Sequence, residues 1–246
     1  MGESKAAQQW KKFKGAFFLA CVVIIWVLSA VLIRSIFHDP STSFSKPLFL
    51  TYYNTGFFVF YLPPVLVAFV AARNDKDKLA ALKTETKETM KLSLVFCLFW
   101  FSSNYFYNLG LVSTSVSSSS ILSNTSAIFV FLIEITFLWD PLNFSWFKPL
   151  FVFICFAGIT MITIVDTYGP EGSKNHSFVG DMFSLLSAAC YGVYATFLRI
   201  KVPKEKEETF KFSHFLGFVG LFNLVCLLPL FPIFDWAGIE KFEWPN

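Results

Sequence analysis

Residues 16–33 read AFFLACVVIIWVLSAVLI, eighteen positions with one hydroxyl and no charge. Eighteen helical residues rise about 27 Å, close to the roughly 30 Å hydrocarbon core of a bilayer. A helix apolar on every side has no solvated face, so it belongs inside a large core or a membrane. The run follows a basic stretch, as a signal peptide would. Its apolar part is too long for one, however, and no small-x-small cleavage site follows it. We read it as a retained membrane helix.

The rest of the chain repeats this pattern. Apolar runs recur at 48–72, 92–112, 116–139, 147–165, 179–198 and 212–234. Inside hydrocarbon every backbone polar group needs an internal partner, which predicts helices. The apolar residues run continuously rather than alternating, which excludes a β-barrel. Pro63-Pro64 falls within the second run and predicts a kink there. The fold class is therefore all-α, a polytopic membrane helical bundle with seven predicted spans.

Composition agrees. Of 246 residues 55% are hydrophobic and 15% charged, and 33 are phenylalanine. A soluble domain carries about 25% charged residues. A water-soluble globule, a disordered chain and a nucleic-acid-binding module are excluded together. The net charge of +3 implies no polyanionic partner. The cysteines, at 21, 97, 155, 190 and 226, lie far apart within apolar runs. They form no metal or redox pair and read as small buried hydrophobes.

The loops predict the orientation. Of the 20 Lys and Arg residues, 16 fall on the N-terminal side of the membrane: in residues 1–15, in 73–91, at Lys148 and in 199–211. Positive charge stays cytoplasmic, so the N-terminus is predicted in the cytoplasm and the C-terminus in the lumen. This argues against a heptahelical receptor, whose N-terminus lies outside.

Two stretches carry a resemblance. Phe99-Trp100-Phe101-Ser102-Ser103-Asn104-Tyr105 and Ser120-Ile121-Leu122-Ser123-Asn124-Thr125-Ser126 resemble solute carrier family 35, subfamily F, in its F5-like branch. Ile25-Trp26-Val27, the segment 188–194, the segment 217–224 and the closing Phe242-Glu243-Trp244-Pro245-Asn246 fit the same pattern. The family belongs to the drug/metabolite transporter superfamily. The resemblance implies ten helices in two inverted repeats of five, of which this chain would hold seven. On that reading residues 1–15 are a cytoplasmic N-terminus and 16–165 the first five-helix repeat. Residues 179–234 are the first two helices of the second repeat, and 235–246 a lumenal tail cut short within a loop. The implied function is secondary transport of a small organic metabolite by alternating access, in an internal membrane such as vacuole, lysosome or Golgi. The alternative is a non-transporting scaffold or regulatory fragment that pairs with a full-length relative. A homodimer is open, a nucleic-acid partner is not expected, and the bilayer is the constant partner.

No catalytic motif occurs, neither HExxH, GxSxG, Walker A nor GxGxxG, so an enzyme is not expected and neither a cofactor nor a metal is implied. Polar groups at mid-membrane depth are the informative ones, because they must find partners or face a cavity. Trp100, Asn104, Tyr107 and Asn108 share one helical face, and Ser117, Ser120, Asn124 and Ala127 form a second stripe. Trp26, Tyr191 and Asn223 lie at similar depth in other spans. Transporter sites sit near the midplane between repeats. The candidate substrate cavity is therefore lined by Trp26, Trp100, Asn104, Tyr107, Asn108, Asn124, Tyr191 and Asn223, with Asn104 and Asn124 facing a shared space. The competing reading is interhelical hydrogen bonding. The serines of 113–120 read as a helix cap and a close-packing surface between the third and fourth spans.

Glu134 is the one carboxylate well inside a predicted span. It reads either as a group at headgroup depth or as a protonatable coupling group. No Lys or Arg lies in a span core, which disfavours a diphosphate-bearing substrate such as a nucleotide sugar. A neutral or cationic metabolite with an aromatic or apolar part suits Trp, Tyr and Asn better. Of the sequons, the one at Asn175 is predicted lumenal but close to the membrane, and those at Asn124 and Asn143 are buried or on the wrong side.

Overall fold

The computed structural model describes residues 5–38, 44–137, 147–168, 177–203 and 210–241. The sequons at Asn143 and Asn175 and the closing residues 242–246 lie outside the described residues. Among those described the secondary structure is helical, with no strand. The chain divides into two units, residues 1–45 and 46–246.

The first unit is one helix, α1, Lys5–Phe37, 33 residues and about 50 Å long. Ile24, Ile25, Trp26, Val27 and Leu28 are all exposed, and five consecutive residues encircle a helix. Around that turn the apolar surface faces outward on every side, whereas Ala30 and Phe37, nearer the end of the helix, are buried. Ser29 satisfies its hydroxyl within the helix, donating to the Ile25 carbonyl at 2.8 Å. Near the start Lys14 lies over the Trp10 ring at 5.3 Å.

The second unit begins with α2, Pro47–Gly56. A tighter 3-10 turn over Phe57–Tyr61 follows, and then α3, Pro63–Ala72. The predicted kink is present: Pro63 and Pro64 open α3, where their missing N–H groups cost nothing. Next comes α4, Lys76–Ser113, 38 residues or about 57 Å in one piece. The sequence reading takes 73–91 as a loop; most of it is instead the first four turns of α4. Asp75 caps that helix, its side chain accepting from the Lys78 N–H at 3.1 Å. This bond holds the Asp75 carboxyl below the usual carboxylate range. The Ala, Leu, Lys and Glu residues that follow are strong helix formers.

The predicted fourth span is built of two short helices, α5 (Val116–Asn124) and α6 (Ser126–Phe137), with a break at Thr125. Ser115 is the N-cap of α5, accepting from the Ser118 N–H at 3.0 Å. The chain continues as α7 (Phe147–Tyr168) and α8 (Phe178–Lys201). It closes with α9 (Phe212–Cys226) and α10 (Leu230–Trp236), which meet at a 42° bend.

Helices thus occupy all seven predicted positions. By length and apolarity four qualify as spans, Phe13–Phe37, Pro47–Ala72, Ser118–Phe137 and Phe178–Lys201, and the bent α9–α10 pair makes a fifth. The difference falls on α4 and α7. Serines, tyrosines and two asparagines dilute the apolar half of α4, and α7 contributes a shorter apolar stretch, Pro149–Gly158.

Within the second unit α4 is the axis. It packs along α8 and also against α9 and α2, and makes a smaller contact with α5. The core between these helices comprises Phe96, Cys97, Phe101, Tyr105, Tyr194, Phe215 and Val219, with Leu48 and Leu227 at one end. Close approach depends on glycine. A Cβ at Gly110 of α4 would stand 2.3 Å from Ser184 Oγ of α8. One at Gly220 of α9 would stand 2.2 Å from the Val59 nitrogen in the 3-10 turn. Serines then join the helices without bulk: Ser93 donates to the Phe215 carbonyl at 3.1 Å and Ser103 to the Ser187 carbonyl at 3.0 Å.

Candidate substrate site

The polar residues singled out in α4 fall into two groups. Trp100, half-buried, joins an aromatic cluster at the α4–α8 seam. Its ring centroid lies 5.6 Å from Phe96, 5.4 Å from Tyr194 and 5.8 Å from Phe58 of the 3-10 turn. Phe96 also meets Phe215 of α9 at 4.9 Å. Tyr191, 44% exposed, packs on Tyr194 at 4.8 Å and carries the cluster to the surface of α8. A wall of this kind offers ring faces to an apolar or cationic group.

Asn108 belongs to the other group. It is buried and donates through Nδ2 to Thr51 Oγ1 of α2 at 2.8 Å. Asn223 of α9 donates to the carbonyl of the neighbouring Tyr52 at 2.8 Å, and the Tyr52 hydroxyl donates back to the Leu224 carbonyl at 2.9 Å. Two amides from two helices thus clamp α2 at adjacent residues. The Asn223 side chain is fully buried and its Oδ1 has no hydrogen-bond partner, leaving one acceptor unused.

Asn104 and Asn124 are not joined by a hydrogen bond. Asn104 donates to the Trp100 carbonyl of its own helix at 2.8 Å, and Asn124 is exposed at the last residue of α5. The α4–α5 polar contact is made instead by Tyr107, whose hydroxyl lies 3.4 Å from Ser120 Oγ. Trp26 lies in the first unit, 44% exposed on α1. The Ser117 side chain lies outside the described residues.

Glu134 of α6 forms an ion pair with Arg199 near the end of α8; the carboxylate side chain is 14% exposed and the guanidinium 58%. At the other end of α8, Asp181 accepts from Ser118 Oγ of α5 at 2.9 Å. Sequence reading missed both partners. It also missed Thr51, Tyr52, Phe96 and Tyr194, although Tyr194, three residues after Tyr191, shares its helical face. Among the described residues no group of His, Cys, Asp and Glu could hold a metal ion.

Apolar helices of bilayer-spanning length, packed around one central helix in the second unit, define an integral membrane protein. The profile of solute carrier family 35 (SLC35F) matches residues 8–246, and the chain belongs to that family. It is 35% identical to the Saccharomyces cerevisiae uncharacterized vacuolar membrane protein YML018C, over 94% of this chain and 70% of that protein. It is 30% identical to the yeast thiamine-repressible mitochondrial transport protein THI74, again over 94% of this chain and 70% of that one. Bovine solute carrier family 35 member F5 is 35% identical over 70% of this chain and 33% of its own length. No solved structure gives a significant match.

Proposed function

We propose that the chain moves a small organic metabolite across an internal membrane by alternating access, with the substrate held at the α4–α8 seam. The observation that carries this reading is the aromatic cluster of Trp100, Phe96 and Tyr194, reaching the surface at Tyr191. The substrate class is a neutral or cationic molecule with an aromatic or apolar part, since ring faces attract both and the span cores hold no cation to bind a diphosphate. Residues 16–165 form the first repeat and 179–234 the start of the second, so the seam lies where transporters of this architecture place their sites. Asn108 and Asn223 border the seam as structural amides. Asn104, Tyr107 and Asn124 remain candidates for its lining. An internal membrane is supported by relatives described as vacuolar and mitochondrial.

Glu134 is the coupling candidate. Its pair with Arg199 ties α6 of the first repeat to α8 of the second. Protonating the carboxylate removes this one attraction between the two repeats, which links a proton to the rocking step.

Uptake by proteoliposomes of the purified chain, offered a panel of neutral and cationic aromatic metabolites, tests the reading. Tyr191→Leu, at an exposed position, is expected to lower uptake of the cationic members about two- to fivefold with little change in melting temperature, the loss of one exposed cation–π contact. Uptake of no panel member, or full uptake by the variant, rejects it.

A further inference from the structure

Away from the aromatic seam, a groove of about 860 Å³ runs between the lower half of α4, the end of α8 and the start of α9. Its lining combines apolar Leu92, Val95, Phe197 and Phe210 with charged Glu85, Glu88, Lys91, Lys201 and Lys211. Lys211 pairs with Glu85 at 3.1 Å. That leaves two cations, Lys91 and Lys201, and one carboxylate, Glu88, without a partner among the described residues. The depth is also defined by the sequence. Lys91 immediately precedes the apolar run 92–112, and Lys201 follows the run that ends at residue 198. The groove therefore opens where hydrocarbon gives way to headgroups.

We propose that this groove binds phosphatidylserine, with acyl chain and glycerol against the apolar side chains and the headgroup against the charged ones. That headgroup carries a phosphate, a carboxylate and an ammonium. Lys91 and Lys201 answer the two anions and Glu88 answers the cation. A phosphatidylcholine head, one anion with a bulky quaternary cation, leaves a lysine unmatched. A purely anionic head meets Glu88 as a like charge. The assignment rests on the predicted orientation, which places this end of α4 at the cytoplasmic leaflet, where anionic lipid concentrates.

The test is native mass spectrometry of the purified chain released from nanodiscs of phosphatidylcholine mixed in turn with phosphatidylserine and with phosphatidylglycerol. The wild type is expected to retain phosphatidylserine over both other lipids. The double variant Lys91→Gln/Lys201→Gln loses that preference about tenfold or more. Glu88→Gln shifts retention toward phosphatidylglycerol. Equal retention of the three lipids by the wild type overturns the proposal, as does undiminished phosphatidylserine retention by the lysine variant. The readout needs neither transport nor a known orientation, so its failure is separable from failure of the uptake experiment.

Discussion

Glu240 binds the end of the chain to the start of α2. Its carboxylate accepts from the Leu48 and Phe49 N–H groups at 2.9 and 3.2 Å, and Lys46 donates to the Lys241 carbonyl at 2.5 Å. Burial raises the Glu240 pKa above the usual carboxylate range, against the opposing pull of those two N–H groups and Lys46. The folded value thus lies above the unfolded one. The stability this group contributes is complete below the ordinary carboxylate pKa and is lost as pH rises through the raised one. Thermal melts across that window should show the decline, and Glu240→Gln should flatten it. Glu240→Ala leaves two helix-start amides uncapped and should cost about 1 kcal/mol. A Gln variant with an unchanged pH profile would contradict the assignment. None of this was legible in the sequence, where Glu240 reads only as part of a tail. Asn108 and Asn223 were legible as polar groups needing partners. Their shared partner α2 was not, because a stripe on one helix does not name the helix it faces.

At the scale of elements, α9 lies against the 3-10 turn because Gly220 lets two backbones touch. Gly220→Ala would place its methyl 2.2 Å from the Val59 nitrogen and 2.6 Å from the Phe58 carbonyl carbon, where no side-chain rotation relieves the clash. A loss of about 1–3 kcal/mol is expected, read as a lowered melting temperature. Gly15→Ala is the control. Its Cβ meets nothing within 4 Å on α1, so the better helix former should be neutral or stabilising. Element positions were legible because apolar runs of bilayer length have few other solutions. Two boundaries were not. The charges of 76–91 served the topology argument well and concealed a helix, since the same lysines and glutamates are good helix formers. The break at Thr125 interrupts an apolar run without glycine or proline to mark it.

For the whole molecule, the spans between the start of α2 and the end of α10 are even in number both as predicted from the sequence and by length and apolarity. The start of α2 and the residues after α10 meet at one end of the second unit, as an even-numbered crossing count between them requires. The charge distribution predicts the orientation. In selectively permeabilised cells a tag at the N-terminus should be cleaved by cytosolic protease and one at the C-terminus protected. The reverse pattern would invert the orientation and remove the argument that puts the lysine-lined groove at the leaflet where anionic lipid concentrates. Membrane class and family were legible from composition and a few motifs. The seam was legible only in part, since Trp100 and Tyr191 were named while the residues that bring them together were not.

The unbroken length of α4 has a mechanical consequence. A rod of about 57 Å in a hydrocarbon layer of roughly 30 Å leaves nearly half of itself outside, stiffly continuous with the part that carries Trp100. Each degree of tilt displaces one end against the other by about 1 Å, a direct result of that length. The protruding turns therefore act as a pointer. A probe on Lys83, well over four turns from Trp100 along the same helix, registers on a magnified scale each small rotation of the helix that carries the aromatic seam.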